Sequence, residues 1–261
     1  MSASSTLPLP TFLIIGAQKS ATRWLRGHLG EHPRVFTADS ELSFFNSHRF
    51  FKEGLDWYRM NFQGWDGEPI VGEATPAYMM WNRKPARIAA RIDETLPDVR
   101  LMALLRNPVD RTYSAFIHHM QRGRIPAGTD LLDRVRSRAP EDDKLALIAG
   151  GWYAASLRPY FAGFGERLRV FLHDDTVEDP EGLYARALEH IGAPPGFLPP
   201  GLRRVRNSGK PPTTSDYAKA GGGRRELTPE ERTEIYEYFR EDVEQLEEMI
   251  DQDLSAWRPS P

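Results

Sequence analysis

The chain of 261 residues contains no cysteine, which excludes disulfides, thiolate metal sites and cysteine nucleophiles and makes a reducing compartment the simpler home. It also lacks a dominant charge. Its 34 basic and 37 acidic residues leave a formal net charge of −3, too balanced for the global basic field that nucleic acid requires, so any anion site must be local. No apolar run approaches the length of a bilayer span, and 1–10 shows no basic start followed by an apolar core. A cytoplasmic protein with neither a membrane nor a nucleic-acid partner is therefore expected. The length suits one large domain, 1–261, with a flexible start over 1–10.

The most informative stretch is TFLIIGAQKSATRWLRGHLG, Thr11 to Gly30. Phe12 to Ile15 is a short apolar run rich in β-branched residues, Gly16 stops it, and a helical pattern with Trp24, Leu25 and Leu29 follows. A strand, tight loop and helix in that order aim backbone N–H groups and the positive end of a helix dipole at one spot, where an anion fits. Lys19 adds a charge, and Ser20 and Thr22 add hydroxyl donors. The match to GxxxxGK[ST] is partial because Gln18 stands at the second glycine. A plain βα turn with an exposed lysine fits the same fragment, so the fragment alone leaves both readings open.

Further short apolar runs are expected to be strands around Val35 and Phe36, over Pro69 to Gly72, over Val99 to Leu105 and over Leu168 to Leu172. Helices are expected over Arg83 to Leu96, Gly151 to Phe164 and Pro180 to Ile191, and from Asn107 and Pro108, which suit an N-cap and a first helical residue. That last helix carries Arg111, Ser114 and His118 at helical spacing. The aromatics between Arg49 and Gln63 read as core. The charged segment 121–150 reads as an insertion and a substrate lid, and 203–225 as a basic, glycine-rich flexible loop. Thr228, Pro229 and Glu231 form a capping box for one final helix with Ile235, Phe239, Val243, Leu246 and Ile250 on its apolar face.

Alternating strands and helices imply an α/β fold, a central parallel sheet flanked by helices, with ligands bound beyond the carboxyl ends of the strands. Lys19, Glu41, Glu73 and Arg106 all stand at or just past such ends.

Four blocks in this order, FLIIGAQKSATRWL, DSELSFFN, VGEATPAY and LLRNPVDRTYSAF, resemble the sulfotransferases that use 3′-phosphoadenosine 5′-phosphosulfate (PAPS), most of all the branch of the heparan sulfate and bacterial enzymes. The resemblance spans about Phe12 to Ile191 and implies a P-loop-NTPase-like sulfotransferase fold. It implies that Lys19, Ser20, Ala21, Thr22 and Arg23 hold the 5′-phosphosulfate, that Arg106 and Ser114 hold the 3′-phosphate, and that Glu41 is the general base while Lys19 stabilises the leaving phosphate. Lys210, Gly222 and Arg224 of the basic loop are expected over the cofactor. Glu73 is expected to orient the acceptor or to hold Lys19 or Arg106, and His118 is a reserve base and substrate contact. No metal is required by this scheme, and adenosine 3′,5′-bisphosphate would be the product.

Three positions depart from the family pattern. Ala74 replaces an active-site lysine, Ser43 a histidine, and Ala21 a common glycine. The first two point to a small-molecule or glycoside acceptor rather than a highly anionic polysaccharide. A P-loop kinase would need magnesium ligands such as an aspartate ending a central strand, where Arg106 stands instead. A non-catalytic nucleotide-binding protein of the same fold is the other alternative.

Overall fold

The computed structural model describes residues 7–137, 144–203 and 226–259. Among the described residues, five strands, β1 (Phe12–Gly16), β2 (Val35–Thr37), β3 (Ile70–Ala74), β4 (Arg100–Leu105) and β5 (Leu168–Leu172), form one parallel sheet in the order β2-β3-β1-β4-β5. The chain winds outward from β1 to one side as far as β2, returns through β3, and crosses to β4 and β5 on the other side. Strand order thus reverses between β1 and β4, the place where open α/β sheets leave a crevice for ligands.

The helices among the described residues are α1 (Thr22–Leu29), α2 (His48–Lys52), α3 (Gly54–Arg59), α4 (Pro85–Thr95), α5 (Pro108–Gln121), α6 (Leu131–Arg136), α7 (Tyr153–Phe164), α8 (Asp175–Glu178), α9 (Pro180–Ile191), α10 (Pro229–Glu237) and α11 (Arg240–Ile250). Alternation along the strands feeds two cores. Leu13, Ile15, Leu101, Ala103 and Leu105 pack with Ile88 and Ile92 of α4 and Tyr160 of α7, while Phe12, Ile14, Met102 and Leu104 pack with Trp24 and Leu25 of α1 and Leu183 and Ala187 of α9. Both faces are covered, which explains why these strands read as unbroken apolar runs. Among the described residues, no helix is long and apolar enough to cross a membrane.

Local signals account for most boundaries. The Asn107 side chain accepts from the Val109 amide at 3.0 Å with Pro108 as first helical residue, and Thr228 and Glu231 form the reciprocal capping box of α10. Of the aromatics of α2 and α3, Tyr58 is buried in the core, with Phe44 stacked on it at 4.3 Å between ring centroids, while Phe50, Phe51 and Trp57 pack half-buried against that core.

Three expectations change. The final helix is two helices, broken at Tyr238 and Phe239, because the Phe239 ring is drawn against Gly151 and the Tyr238 carbonyl is taken by Trp152 Nε1 at 2.9 Å. Strand β3 runs to Ala74, so Glu73 lies inside it. Residues 7–10 are tied down rather than loose: Arg59 donates to the Leu7 carbonyl at 2.6 Å, and Pro10 is buried. Of the segment 121–150, the described part is built into the larger core through Ile125, Leu131, Val135, Leu147 and Ile148.

Candidate active site

The loop after β1 is pinned at both ends. The Ala17 amide donates to the Leu104 carbonyl of β4 at 2.7 Å, and the amides of Trp24 and Leu25 donate to the Ala21 carbonyl. Lys19 and Ala21 have φ of 71° and 65°, in the left-handed region that disfavours a β-carbon. The alanine noted above as a departure from glycine therefore occupies a left-handed position. Gly16 leaves room for a neighbour: a β-carbon there would lie 2.0 Å from Met79 Sδ, so the methionine side chain would have to move. No side chain caps the start of α1 and no acid lies in its first turn, so the helix itself supplies no counter-charge to the positive end of its dipole. Ser20 is fully buried, and its hydroxyl lies beside the Tyr153 phenol without a hydrogen bond of normal geometry.

Arg111 of α5 holds this loop from behind, a role that its sequence pattern did not reveal. It is fully buried, and it donates from Nε to the Gln18 carbonyl at 3.3 Å and from Nη2 to Gln18 Oε1 at 2.9 Å. Its Nη1 donates to the carbonyls of Ala146 and Leu147 at 2.6 and 2.8 Å. Gly150 makes room, since a β-carbon there would lie 2.3 Å from Arg111 Nη2. The glycine pair before an aromatic helix was the available sign of this close approach.

Arg106 follows β4 and donates from Nη1 to the Lys19 carbonyl at 3.5 Å. Its own carbonyl accepts from the buried Tyr153 hydroxyl at 2.9 Å, and Asn107 Nδ2 donates to the Trp257 carbonyl at 3.2 Å. Burial pushes the Tyr153 phenol up to about 12 despite the neighbouring Arg111. The α7 start that presents Tyr153 is itself capped by Asp242 of α11, which accepts from the amides of Ala154 and Ala155 at 2.9 and 3.0 Å.

The electrostatics ask for an anion. Burial, then the charges of Arg106, Arg23, Arg111 and Arg122, hold Lys19 below the ordinary lysine range. Burial and the charge of Lys19 likewise hold the half-buried His118 down to about 4, so it is neutral at pH 7. Ser114 is half-buried on the same helix.

Glu41 is exposed on the irregular segment between β2 and α2, with Oε1 3.6 Å from Arg23 Nη2 of α1. It thus faces the Arg23 side chain of α1, the helix into which the Lys19 loop leads. Glu73 differs from expectation. It is fully buried and accepts from Tyr58 at 2.9 Å, Tyr78 at 2.6 Å and Thr75 at 2.6 Å, and its hydrogen bonds go to these hydroxyls rather than to Lys19 or Arg106. Burial raises its pKa and the three hydroxyls pull it back. With no exposed surface, it offers no direct contact to an acceptor.

Lys210, Gly222 and Arg224 lie outside the described residues. Among the described residues, no cluster of three or more His, Asp or Glu side chains is placed to hold a metal ion.

The sulfotransferase domain family profile matches residues 9–160. The chain is 31% identical over 225 residues to the heparan sulfate glucosamine 3-O-sulfotransferase 3B1 of Mus musculus, covering 80% of this chain and 56% of that protein. It is 32% identical over 218 residues to the 3A1 enzyme of the same species, covering 78% and 53%. The chain thus spans about half the length of these curated relatives. Among solved structures, a sulfotransferase from Alicyclobacillus acidocaldarius superposes with a TM-score of 0.74 and 28% identity over 96% of this chain and 99% of that one. The sulfotransferase domain of the Synechococcus PCC 7002 olefin synthase shares the fold, with a TM-score of 0.55 and 15% identity over 96% of this chain and 98% of that one. With its parallel sheet, its loop at the strand-order reversal and its profile match over more than half its length, the chain belongs to the sulfotransferase domain family.

Proposed function

We propose that the protein transfers a sulfuryl group from PAPS to a hydroxyl of a small molecule or glycoside. The observation that carries this reading is the pair of cationic cradles at the ends of adjacent strands, Lys19 after β1 and Arg106 after β4, with Glu41 beside the first through Arg23. A donor phosphorylated at both ends of its ribose suits two such cradles. The loop amides, Thr22 and Lys19 take the 5′-phosphosulfate, with the buried Ser20 backing the loop, and Arg106 with Ser114 takes the 3′-phosphate.

In this reading the acceptor oxygen attacks sulfur in line with the departing phosphate oxygen. The acceptor proton passes to Glu41 as the new O–S bond forms. The S–O bond to the 5′-phosphate breaks with its electron pair, and Lys19, the loop amides and the α1 dipole take up the charge that develops there. The products are the sulfate ester and adenosine 3′,5′-bisphosphate. Among the curated relatives, the 3-O-sulfotransferases named above act on heparan sulfate glucosamine. Ala74 and Ser43 favour a less anionic acceptor here, so glycosides and simple hydroxyl compounds come first.

The test is transfer of labelled sulfate from PAPS to a panel of phenols, alcohols, simple glycosides and glucosamine oligosaccharides. Transfer to at least one, with Glu41→Gln lowering turnover by about two to four decades while adenosine 3′,5′-bisphosphate still binds, is the expected result. Absence of both transfer and bisphosphate binding would overturn the reading.

A further inference from the structure

Glu41 sits on irregular backbone, so where its carboxylate points depends on what fixes the residues after it. Ser43, two residues on, has φ of 54°, a left-handed conformation that a side-chain-bearing residue keeps only when its surroundings hold it. The hold comes from below. The Ser43 amide donates to Thr75 Oγ1 at 3.2 Å, and the Phe44 amide donates to the Tyr78 hydroxyl oxygen at 3.1 Å. Both hydroxyls pass their own protons to the same buried carboxylate, Thr75 to Glu73 Oε2 and Tyr78 to Glu73 Oε1, each at 2.6 Å. A backbone contact from Leu42 reaches Glu73 as well. Residues 42–44 are therefore moored, one after another, to a single side chain inside β3.

The chemistry of the anchor matters. A carboxylate accepts and never donates, so each hydroxyl that points its hydrogen at Glu73 turns its lone pairs outward to the amides of Ser43 and Phe44. An uncharged acid or an amide at this position would present a hydrogen to one of those hydroxyls and reverse the direction of that branch. Tyr58 provides an internal contrast: it also donates to Glu73, at 2.9 Å, yet among the described residues it takes no bond from the amides of 42–44.

We infer that Glu73 is the positioning residue for Glu41, a fully buried carboxylate that orients the general base through the Thr75 and Tyr78 hydroxyls. The inference rests on the reading of Glu41 as base, and it replaces the expectation that Glu73 touches the acceptor. The carboxylate acts on the reaction only through the backbone that carries Glu41.

The experiment compares Tyr78→Phe, Thr75→Val and Tyr58→Phe, each in the native background and in Glu41→Gln. Turnover is read with the most reactive acceptor of the panel and, independently of any acceptor, as sulfate released from PAPS to water. Tyr78→Phe and Thr75→Val are expected to lower kcat by about tenfold to a hundredfold, the scale of a displaced catalytic group, with bisphosphate affinity unchanged. Tyr58→Phe is expected to lower Tm comparably while leaving kcat within about twofold of native. In the Glu41→Gln background none of the three should lower kcat further. Amide hydrogen exchange supplies a readout besides activity: Phe44 should exchange faster in Tyr78→Phe and at the native rate in Tyr58→Phe. Equal kcat losses in the Tyr58 and Tyr78 variants, additive losses on top of Glu41→Gln, or unchanged Phe44 exchange in Tyr78→Phe would overturn the inference. A fully active Glu41→Gln would instead overturn the base assignment, and the exchange data would still report whether Glu73 moors the segment.

Discussion

Arg106 Nη1 donates to the backbone carbonyl of Lys19 at 3.5 Å, joining the cation after β4 to the loop after β1. The two cradles are thus parts of one surface at the reversal of strand order, and the arginine that would meet a 3′-phosphate also steadies the loop that would meet the 5′-phosphosulfate. Arg106→Ala should therefore shrink the preference for adenosine 3′,5′-bisphosphate over adenosine 5′-phosphate, read by calorimetry. An unaltered preference would place the 3′-phosphate elsewhere.

Lys19 is surrounded by cations that hold its pKa below the ordinary lysine range. A bound bisphosphate reverses that field and raises the pKa, so in the alkaline interval between the free and bound values binding takes up a proton, and affinity falls as pH rises through it. Calorimetry in buffers of different ionisation enthalpy measures the uptake. Lys19→Ala should abolish it and should weaken donor binding and turnover together.

His118 titrates at about 4 in the free protein, against about 6.5 when unfolded. Between those values the unfolded chain binds more protons than the folded one. The contribution to stability is present above pH 6.5 and is lost as pH falls toward 4. The His118 ring resonance followed by NMR should titrate near 4 in the free protein and higher with bisphosphate bound, and His118→Gln should remove this part of the acid dependence of Tm.

The loop is supported by residues packed behind it. Gly150→Ala would drive a β-carbon to 2.3 Å from Arg111 Nη2. Displacing that clamp should cost about 2 kcal/mol of stability and also weaken bisphosphate binding. Tyr153→Phe removes the donor to the Arg106 carbonyl and should cost about 1 kcal/mol by denaturant unfolding, with a smaller loss of 3′-phosphate preference than Arg106→Ala.

What the chain alone disclosed follows from range. The stop at Gly16, the cap at Asn107 and Pro108 and the apolar run ending at Leu105 are encoded within a few residues of where they act, and each lies where expected. The partners of Glu73 come from α3 and from the turn after β3, and Arg111 meets carbonyls about 35 residues away, at Ala146 and Leu147, so no local period marks either role. Glu73 was misjudged for a physical reason: the end of a parallel strand is as good a place to bury a carboxylate under tyrosines as to expose one to substrate. The break at Phe239 escaped detection because an apolar helical stripe continues unbroken in sequence through a residue whose ring is claimed by Gly151.

The strand order places the two halves of the proposed chemistry on very different ground. Lys19 extends from β1, flanked by neighbours on both sides, whereas Glu41 follows β2, a three-residue strand at the rim of the sheet. Central strands open last and rims open first. In the proposed reading, donor recognition therefore rides on a strand held from both sides and proton removal on a rim segment that depends on its ties to Glu73, so a change at Thr75 or Tyr78 reaches the base while leaving the grip on the nucleotide in place.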